Sequence, residues 1–169
     1  MAAIFARKAT YPMPNPSTPS DKQVRLWLVR HGMTTWNAQH RFCGTSNPPL
    51  APSGQKQAHW LAQQLPPLAK IAAIHSSDLL RAQQTAQEIA GHQLTIHFTT
   101  SWRELAFGLW EGLTYNEILA LPDNHLSFFT DPLHTSPPHG ETLHDLSQRV
   151  QQGLNQLIAH AFLLPTENP

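Results

Sequence analysis

The stretch VRLWLVRHGMTTWN, which runs from Val24 to Asn37, decides the fold of this chain. Its first six residues are almost all apolar, a pattern typical of a strand that is buried on both faces of a parallel sheet. Arg30 and His31 follow directly, where that strand must end. Ligands of open α/β sheets bind at the carboxyl ends of the strands, so this Arg-His-Gly turn is the first candidate for a functional site.

Strand and helix patterns alternate along the rest of the chain. Short apolar strands are predicted at residues 71–75 and 94–98. Apolar residues at helical spacing predict helices, with their ends set by a proline pair, a glycine and a capping threonine, at residues 53–65, 78–90, 113–121 and 142–161. Asp78 is the predicted cap of the second of these helices. This alternation predicts an α/β fold, a three-layer sandwich with a mostly parallel central sheet flanked by helices.

Residues 1–23 precede the first strand and are rich in proline and small polar side chains, so we expect a disordered tail there and one domain over residues 24–164. Lys+Arg and Asp+Glu are equal at 11 each, which points to neither nucleic acid nor a membrane as a partner. The single cysteine, Cys43, is compatible with a reducing compartment, and no apolar run approaches the roughly 20 residues of a membrane span. A cytoplasmic protein is predicted. The oligomeric state stays open.

Three loops that follow predicted strands carry side chains suited to phosphate chemistry. Arg30 sets a permanently charged guanidinium beside His31, a nucleophile that works near neutral pH, although a plain polar turn is the alternative. Arg81 lies in the first turn of a helix, where unpaired N–H groups attract anions, although an ordinary surface arginine fits equally well. Glu104 has apolar neighbours that favour its protonated form and a general-acid role, and Glu111 is a rival that spacing does not exclude.

Small and polar residues of the first loop are candidates for the remaining contacts to a ligand. Gly32 lets the backbone approach a bound molecule closely. Thr34 and Asn37 offer hydroxyl and amide groups for polar contacts.

Five segments in order resemble the motifs of the histidine phosphatase (phosphoglycerate mutase-like) superfamily. They are LVRHGMTTWN from residue 28, RFCGTSNPPLAPSG from 41, SSDLLRAQQTA from 76, RELAFGLWEG from 103 and HGETLHDLSQRV from 139. The match runs from about residue 24 to about residue 150, and each segment falls at a predicted strand end or helix start.

The resemblance implies a role for each candidate residue. His31 would attack phosphorus and become a phosphohistidine, Arg30 and Arg81 would hold the phosphoryl oxygens, and Glu104 would protonate the leaving oxygen. The same pocket would be lined, besides Gly32 and Thr34, by Asn37, Cys43 and Gly44. The expected partner is a small phosphorylated metabolite, and no metal or cofactor is expected because the arginines supply the positive charge.

The chain departs from the family at its C-terminal side. In the family, the last long helix leads into a strand that ends in a second His-Gly, whose histidine donates a hydrogen bond to the transferred phosphate. Here that helix reaches about Ala161 and no His-Gly follows it. The resemblance therefore implies a domain that is incomplete at its C-terminus, with the last strand of the family fold missing and apolar surface left exposed. Losing a preorganised donor of this kind typically costs about 10²–10³ in rate.

Within the family, mutases carry a longer insertion between the acid loop and the last helix, which shields the phosphoenzyme from water. The stretch from Gly112 to Gly140 is short, so the resemblance favours a phosphatase, with a phosphoglycerate mutase-type phosphotransferase as the alternative. The segments FGLWEGLTYNEI and PPHGETLHDLSQRV look most like α-ribazole phosphatases of cobalamin synthesis. A non-catalytic phosphate-ester-binding or truncated relative is the other alternative, and the missing second histidine favours it.

Overall fold

The computed structural model describes residues 3–9, 23–68, 71, 73–91, 94–122 and 126–163. Its strands are β1 Ala3–Ala9, β2 Gln23–Val29, β3 Ala73–Ser77 and β4 Ile96–Thr99. Its helices are α1 Thr35–Ala38, α2 Pro52–Leu68, α3 Leu80–Ala90, α4 Tyr115–Leu119, α5 Ser127–Thr130 and α6 Leu143–Leu163. Single 3₁₀ turns lie at Thr100–Trp102 and Gly108–Trp110.

The four strands form one sheet in the order β2-β1-β3-β4. β3 and β4 pair in parallel, whereas β1 pairs antiparallel with both β2 and β3. It follows that β2, β3 and β4 all run in the same direction, which confirms the mostly parallel sheet. This places the carboxyl ends of these three strands at one edge of the sheet, where the predicted site residues begin.

Helices pack against both faces of the sheet. Trp27 and Val29 of β2 contact a core around Ile74, which α2 and α3 cover. Leu26, whose side chain alternates to the opposite face, packs with Leu157 of α6 instead. The predicted three-layer sandwich is confirmed.

The N-terminal segment differs from the predicted disordered tail. Residues 3–9 form β1, which lies inside the sheet, with Ile4 paired to Leu28 on one side and to His75 on the other. An interior strand forms hydrogen bonds with the backbones of both neighbouring strands. Without β1, the backbone groups of β2 and β3 that face each other would be unpaired. This corrects the prediction for residues 3–9. Most of the rest of the predicted tail lies outside the described residues.

The start of α3 also differs from prediction. Asp78 does not cap it, because the Asp78 carboxylate accepts two hydrogen bonds from Arg103, at 2.7 and 2.5 Å. The cap comes from a distant loop, where Asn47 Oδ1 accepts the Leu80 N–H at 2.7 Å. Gly91 ends the helix as predicted, with a φ of +54°.

Other helix ends differ from the predicted bounds by a few residues. α2 continues through the Pro66-Pro67 pair to Leu68 rather than ending before it, α4 is confined to Tyr115–Leu119, and α6 reaches Leu163. Thr142 and Asp145 form the predicted capping pair of α6, with the Asp145 N–H donating to Thr142 Oγ1 at 3.1 Å. No helix in the described part of the chain has both the length and the apolar character needed to cross a bilayer.

Three histidine rings form a cluster, here called the histidine cluster, between the sheet and α6. His75 and His97 are register partners on β3 and β4, and His160 of α6 packs on both, with ring centroids 4.7 to 5.2 Å apart. Burial, together with the nearby His97 and His160, lowers the pKa of His75 to about 4, and burial also lowers the pKa of His97. His75 and His97 are therefore packed as neutral rings at neutral pH.

Because of the histidine cluster, we expect the protein to lose stability on acidification. The pKa of His75 is about 4 in the folded chain and about 6.5 in the unfolded chain. Between these two pH values the unfolded chain therefore binds a proton that the folded chain does not bind. The free energy of unfolding should fall by about 2 kcal/mol, after allowance for the solvent that reaches the cluster. We expect the Tm to be roughly 4 °C lower at about pH 5 than at about pH 7.5. His75→Phe should reduce this dependence, whereas replacement of the exposed His134 should not. An unchanged dependence in His75→Phe would contradict the prediction.

Candidate active site

His31 lies directly beyond the carboxyl end of β2 with both ring nitrogens engaged. Its Nδ1 is 2.7 Å from the Gly32 carbonyl oxygen, and its Nε2 is 3.1 Å from Arg81 Nε. An arginine can only donate, so Nε2 carries the lone pair and Nδ1 carries the proton. The ring is therefore held in the tautomer in which Nε2 can act as a nucleophile.

The surroundings of His31 keep this imidazole neutral. Burial is the largest cause that lowers its pKa to about 4; the Gly32 carbonyl opposes the shift, and the positive charges of Arg81 and Arg30 add to it. At neutral pH the Nε2 lone pair is therefore almost never protonated.

Arg81 is buried, with 1 % of its surface exposed, and it joins His31 to the loop at residues 43–46. Its Nη1 donates to the Ser46 carbonyl at 2.9 Å and its Nη2 to the Gly44 carbonyl at 2.6 Å. This placement rules out the alternative of an ordinary surface arginine. Arg30 is exposed on the other side of His31 and makes no ion pair with any residue that the structure describes, so its guanidinium is available to an anion.

Gly32 brings the loop after β2 against α2. A Cβ atom at Gly32 would overlap the backbone of Gly54, and one at Gly54 would overlap the Met33 carbonyl. The Gly32 N–H is also engaged, because it donates to Thr85 Oγ1 at 3.2 Å. The space that this glycine leaves open is thus filled by α2, whereas the sequence analysis assigned it to an approaching ligand.

Thr34 and Asn37 lie in the same loop and bind each other. Thr34 is fully buried, its hydroxyl donates to Asn37 Oδ1 at 2.8 Å, and it accepts the Asn37 N–H at 3.0 Å. The second of these bonds, together with the Thr34 N–H donating to Asn37 Oδ1 at 3.1 Å, forms a capping box at α1. Thr34 therefore fixes the loop, and Asn37 keeps its amide NH₂ group unbonded among the described residues.

Cys43 and Gly44 connect the His31 region to the loop that carries the acidic residues. A Cβ atom at Gly44 would overlap both the Leu105 carbonyl and the Glu111 carboxylate. Cys43 is a half-buried free thiol, and burial, with a further contribution from Glu111 and Glu104, raises its pKa. Glu104 directly precedes Leu105, whose carbonyl lies against Gly44, so its backbone is next to the loop that Arg81 binds.

The hydrogen bonds of the two acidic candidates separate their roles. Glu111 accepts from the Thr45 N–H at 2.8 Å and from the Ser46 N–H at 2.5 Å, besides the Phe107 N–H at 3.2 Å. Burial opposes the ionisation of Glu111, but the hydrogen bonds from Ser46 and Thr45 outweigh it and lower its pKa. Glu111 is therefore a fixed anion and a poor proton donor.

Glu104 is the freer of the two carboxylates. The residue is half-buried, and the only hydrogen bond that its carboxylate makes within the described residues comes from the neighbouring Leu105 N–H, at 3.0 Å. A carboxyl group that is not committed to structural bonds can exchange protons with a ligand. The geometry thus favours Glu104 as the proton donor, a choice that spacing alone left open.

Arg149 of α6 is a positioning residue to which the sequence analysis assigned no role. It donates to Glu141 at 2.7 and 2.8 Å and to the carbonyl oxygens of Arg103 and Glu104 at 2.8 and 2.9 Å. It therefore holds the backbone from which the Glu104 side chain extends. The sequence position of Arg149 could have indicated this role. It lies three residues after Leu146, beside the apolar stripe of α6, where a charge is costly unless it is paired.

The described residues bring a defined set of chemical groups to the candidate site. No group of three or more histidine, cysteine, aspartate or glutamate side chains among them is arranged to hold a metal ion. What the arrangement does provide is a neutral histidine, two guanidinium groups and one uncommitted carboxylate around the edge of the sheet. These are the groups that phosphoryl transfer through a histidine requires.

Comparison with known proteins gives the class. The family description for the histidine phosphatase superfamily (branch 1) matches residues 26–162, a span that contains every site residue discussed above. This chain belongs to the histidine phosphatase superfamily.

The similar proteins include both a phosphatase and a probable mutase. The chain is 38 % identical over 137 residues to the bifunctional protein Rv2228c of Mycobacterium tuberculosis, covering 80 % of this chain and 37 % of that protein. It is 34 % identical over 140 residues to the probable phosphoglycerate mutase GpmB of Cronobacter sakazakii, covering 80 % of this chain and 63 % of GpmB. The α-ribazole phosphatase of Shigella flexneri superposes with a TM-score of 0.72 at 29 % identity, covering 78 % of this chain and 66 % of that one. The chain thus spans less than two thirds of these relatives.

Proposed function

We propose that this chain is a phosphomonoester hydrolase that acts through a phosphohistidine on His31, with α-ribazole 5'-phosphate as its substrate. The observation that carries the proposal is the neutral His31 imidazole, whose Nε2 lone pair faces the buried Arg81 at 3.1 Å. The similarity to a solved α-ribazole phosphatase supports the choice of substrate.

The proposed reaction has two steps that use the same groups. In the first, Nε2 of His31 forms a bond to phosphorus while the ester P–O bond breaks, and Glu104 gives its proton to the leaving oxygen. Arg81 Nε moves its hydrogen bond from Nε2 to a phosphoryl oxygen, and Arg30 neutralises the remaining charge. In the second, the Glu104 carboxylate takes a proton from water, the water oxygen bonds to phosphorus, and the N–P bond breaks to release phosphate and His31.

A phosphoglycerate mutase-type transfer is the second candidate, because GpmB is among the relatives. The short connection between Gly112 and Gly140 favours hydrolysis. In the described part of this connection the only α-helices are the short α4 and α5, which supports a site that water can reach. Isomer formation from 3-phosphoglycerate, in place of phosphate release, would select the mutase.

The proposal is tested by assaying phosphate release by the purified chain from a panel that includes α-ribazole phosphate and 3-phosphoglycerate. A rapid alkaline quench after exposure to ³²P-labelled ester should trap an acid-labile phosphoprotein. Fastest release from α-ribazole phosphate identifies the substrate, and fastest release from another ester replaces that assignment. A folded chain that neither releases phosphate nor becomes labelled would contradict the enzyme proposal and favour the phosphate-ester-binding alternative.

Glu104→Gln is expected to slow hydrolysis more for esters whose leaving group must be protonated than for esters whose leaving group departs as a stable anion. General-acid catalysis is worth about 10²–10⁴ in rate, so phosphoenzyme formation from an alkyl phosphate should fall about 100-fold. Formation from p-nitrophenyl phosphate, whose phenolate leaves unprotonated, should fall by less than about tenfold. Single-turnover labelling measures both. Glu111→Gln is the matched control and should lower the Tm without this leaving-group dependence. Equal losses on both esters in Glu104→Gln would assign the proton to another group.

A further inference from the structure

A cavity of about 460 Å³ adjoins the candidate active site on the side of α2. Its volume is in the range of clefts that hold small ligands. The lining residues that matter here are Arg30, His31, Lys56, Trp60, Leu61 and Thr85. Because His31 and Arg30 are among the lining residues, a molecule that presents its phosphate to His31 can place its organic part in this space.

The charged groups of the cavity suit the phosphate end of such a molecule. Arg30 and Lys56 are exposed, and neither forms an ion pair with any residue in the described ranges. No acidic side chain belongs to the lining. The cavity therefore attracts an anion, and its unpaired cations lie beside the proposed nucleophile.

The apolar part of the wall has few free hydrogen-bonding groups. The Thr85 hydroxyl already donates to the Arg81 carbonyl and accepts from Gly32 N–H, and Gln57 Oε1 already accepts the Met33 N–H at 2.9 Å. Hydroxyl groups placed against this part of the wall would lose hydrogen bonds to water without replacement, and such unpaired polar groups are costly. This part of the cavity thus suits an aromatic ring better than a polyhydroxylated group.

The apolar part of the wall suits a planar ring. Trp60 is 62 % exposed, so most of its indole surface is available, and Leu61 and the fully buried Ala58 continue the apolar wall beside it. Aromatic rings stack on one another with a gain beyond simple burial of their surface. An exposed tryptophan at the edge of a cavity with satisfied polar groups is therefore a recognition surface for an aromatic ring.

We propose that this cavity selects phosphomonoesters whose organic part carries a planar aromatic ring, and that Trp60 is the specificity-determining residue. The assignment rests on the proposed function for the position of the phosphate. It extends that function by assigning the class of ester to particular residues of α2.

The test measures binding without turnover, in the His31→Ala background. Calorimetry with 1-naphthyl phosphate, glycerol 2-phosphate and inorganic phosphate compares the aromatic end, a hydroxylated end and the phosphate end alone. Trp60→Ala should weaken naphthyl phosphate binding about tenfold and leave the other two unchanged. Trp60→Phe should restore most of the affinity, and Phe98→Ala, which removes a similarly exposed ring outside the cavity, should have no effect.

The outcomes separate this proposal from the proposed function. Equal weakening of all three ligands by Trp60→Ala, or naphthyl phosphate binding no tighter than glycerol phosphate, would overturn the aromatic assignment even in an active phosphatase. Trp60-dependent binding by a chain that releases no phosphate would support the cavity assignment and contradict the hydrolase proposal. Binding of inorganic phosphate without binding of either ester would also overturn the aromatic assignment. If none of the three ligands binds, both proposals are contradicted.

Discussion

Replacing His31 with alanine is expected to abolish phosphoprotein labelling and to lower phosphate release by about 10⁴-fold or more, as removal of a catalytic nucleophile generally does. The reason lies in the position of the ring, which presents its Nε2 lone pair beside Arg81 at 3.1 Å. Burial and the nearby guanidinium groups keep this nitrogen unprotonated at neutral pH. Release from p-nitrophenyl phosphate measures the loss, since that ester needs no proton donor.

Two controls make the His31 result specific. His144→Ala removes an exposed histidine of α6 and should leave the rate unchanged. Inorganic phosphate should still bind to His31→Ala, because Arg81 keeps its bonds to the Ser46 and Gly44 carbonyls when the ring is absent. A variant that folds, binds phosphate and still hydrolyses esters at the native rate would show that another group is the nucleophile.

The fold could be predicted wherever local sequence decides the structure. The apolar run of β2 and the capping pair Thr142 and Asp145 of α6 are local signals, and the structure has both elements. The start of α3 could not be predicted, because Asp78 is taken by Arg103, 25 residues further on. β1 could not be predicted either, since its place depends on backbone pairing with two strands distant in sequence.

The site could be predicted to the level of residue type and position at a strand end. Arg30, His31 and Arg81 were candidates because each follows a strand. The tautomer of His31 and the burial of Arg81 were beyond sequence reasoning, because the first depends on the contact with Arg81, 50 residues further on, and the second on carbonyl oxygens brought in by the loop at residues 43–46. The roles of Glu111 and Glu104 are distinguished by the hydrogen bonds that Glu111 accepts from Thr45 and Ser46, about 65 positions earlier in the chain.

Trp60 shows a different limit of sequence reasoning. It lies in α2 but falls outside the apolar stripe of Ala58, Leu61, Ala62 and Leu65, so helical spacing places it away from the core. The side chain is accordingly 62 % exposed, and it lines a cavity that His31 also lines. Spacing predicts the exposure of Trp60, but only the packing of α2 against the sheet reveals the cavity beside it.

Replacing Arg81 should have the second largest effect, on both activity and stability. Arg81→Ala removes the guanidinium closest to the proposed nucleophile and should lower kcat by about 10³, the upper value for loss of one preorganised donor. It also leaves the buried Gly44 and Ser46 carbonyls without their partner, at about 1–3 kcal/mol for each unsatisfied group. The Tm of this variant should fall accordingly.

Arg81→Lys separates the chemical role from the structural one. A lysine keeps the charge but cannot reach His31 and two carbonyl groups in three directions at once, as the planar guanidinium does. If Arg81 binds the phosphoryl group, Arg81→Lys should lose at least about tenfold in kcat, while the exposed Arg30→Ala should weaken ester binding and leave the Tm unchanged. Native kcat in a destabilised Arg81→Lys would mean that this arginine only holds the loop at residues 43–46, and that Arg30 alone supplies the charge that the transferred phosphate requires.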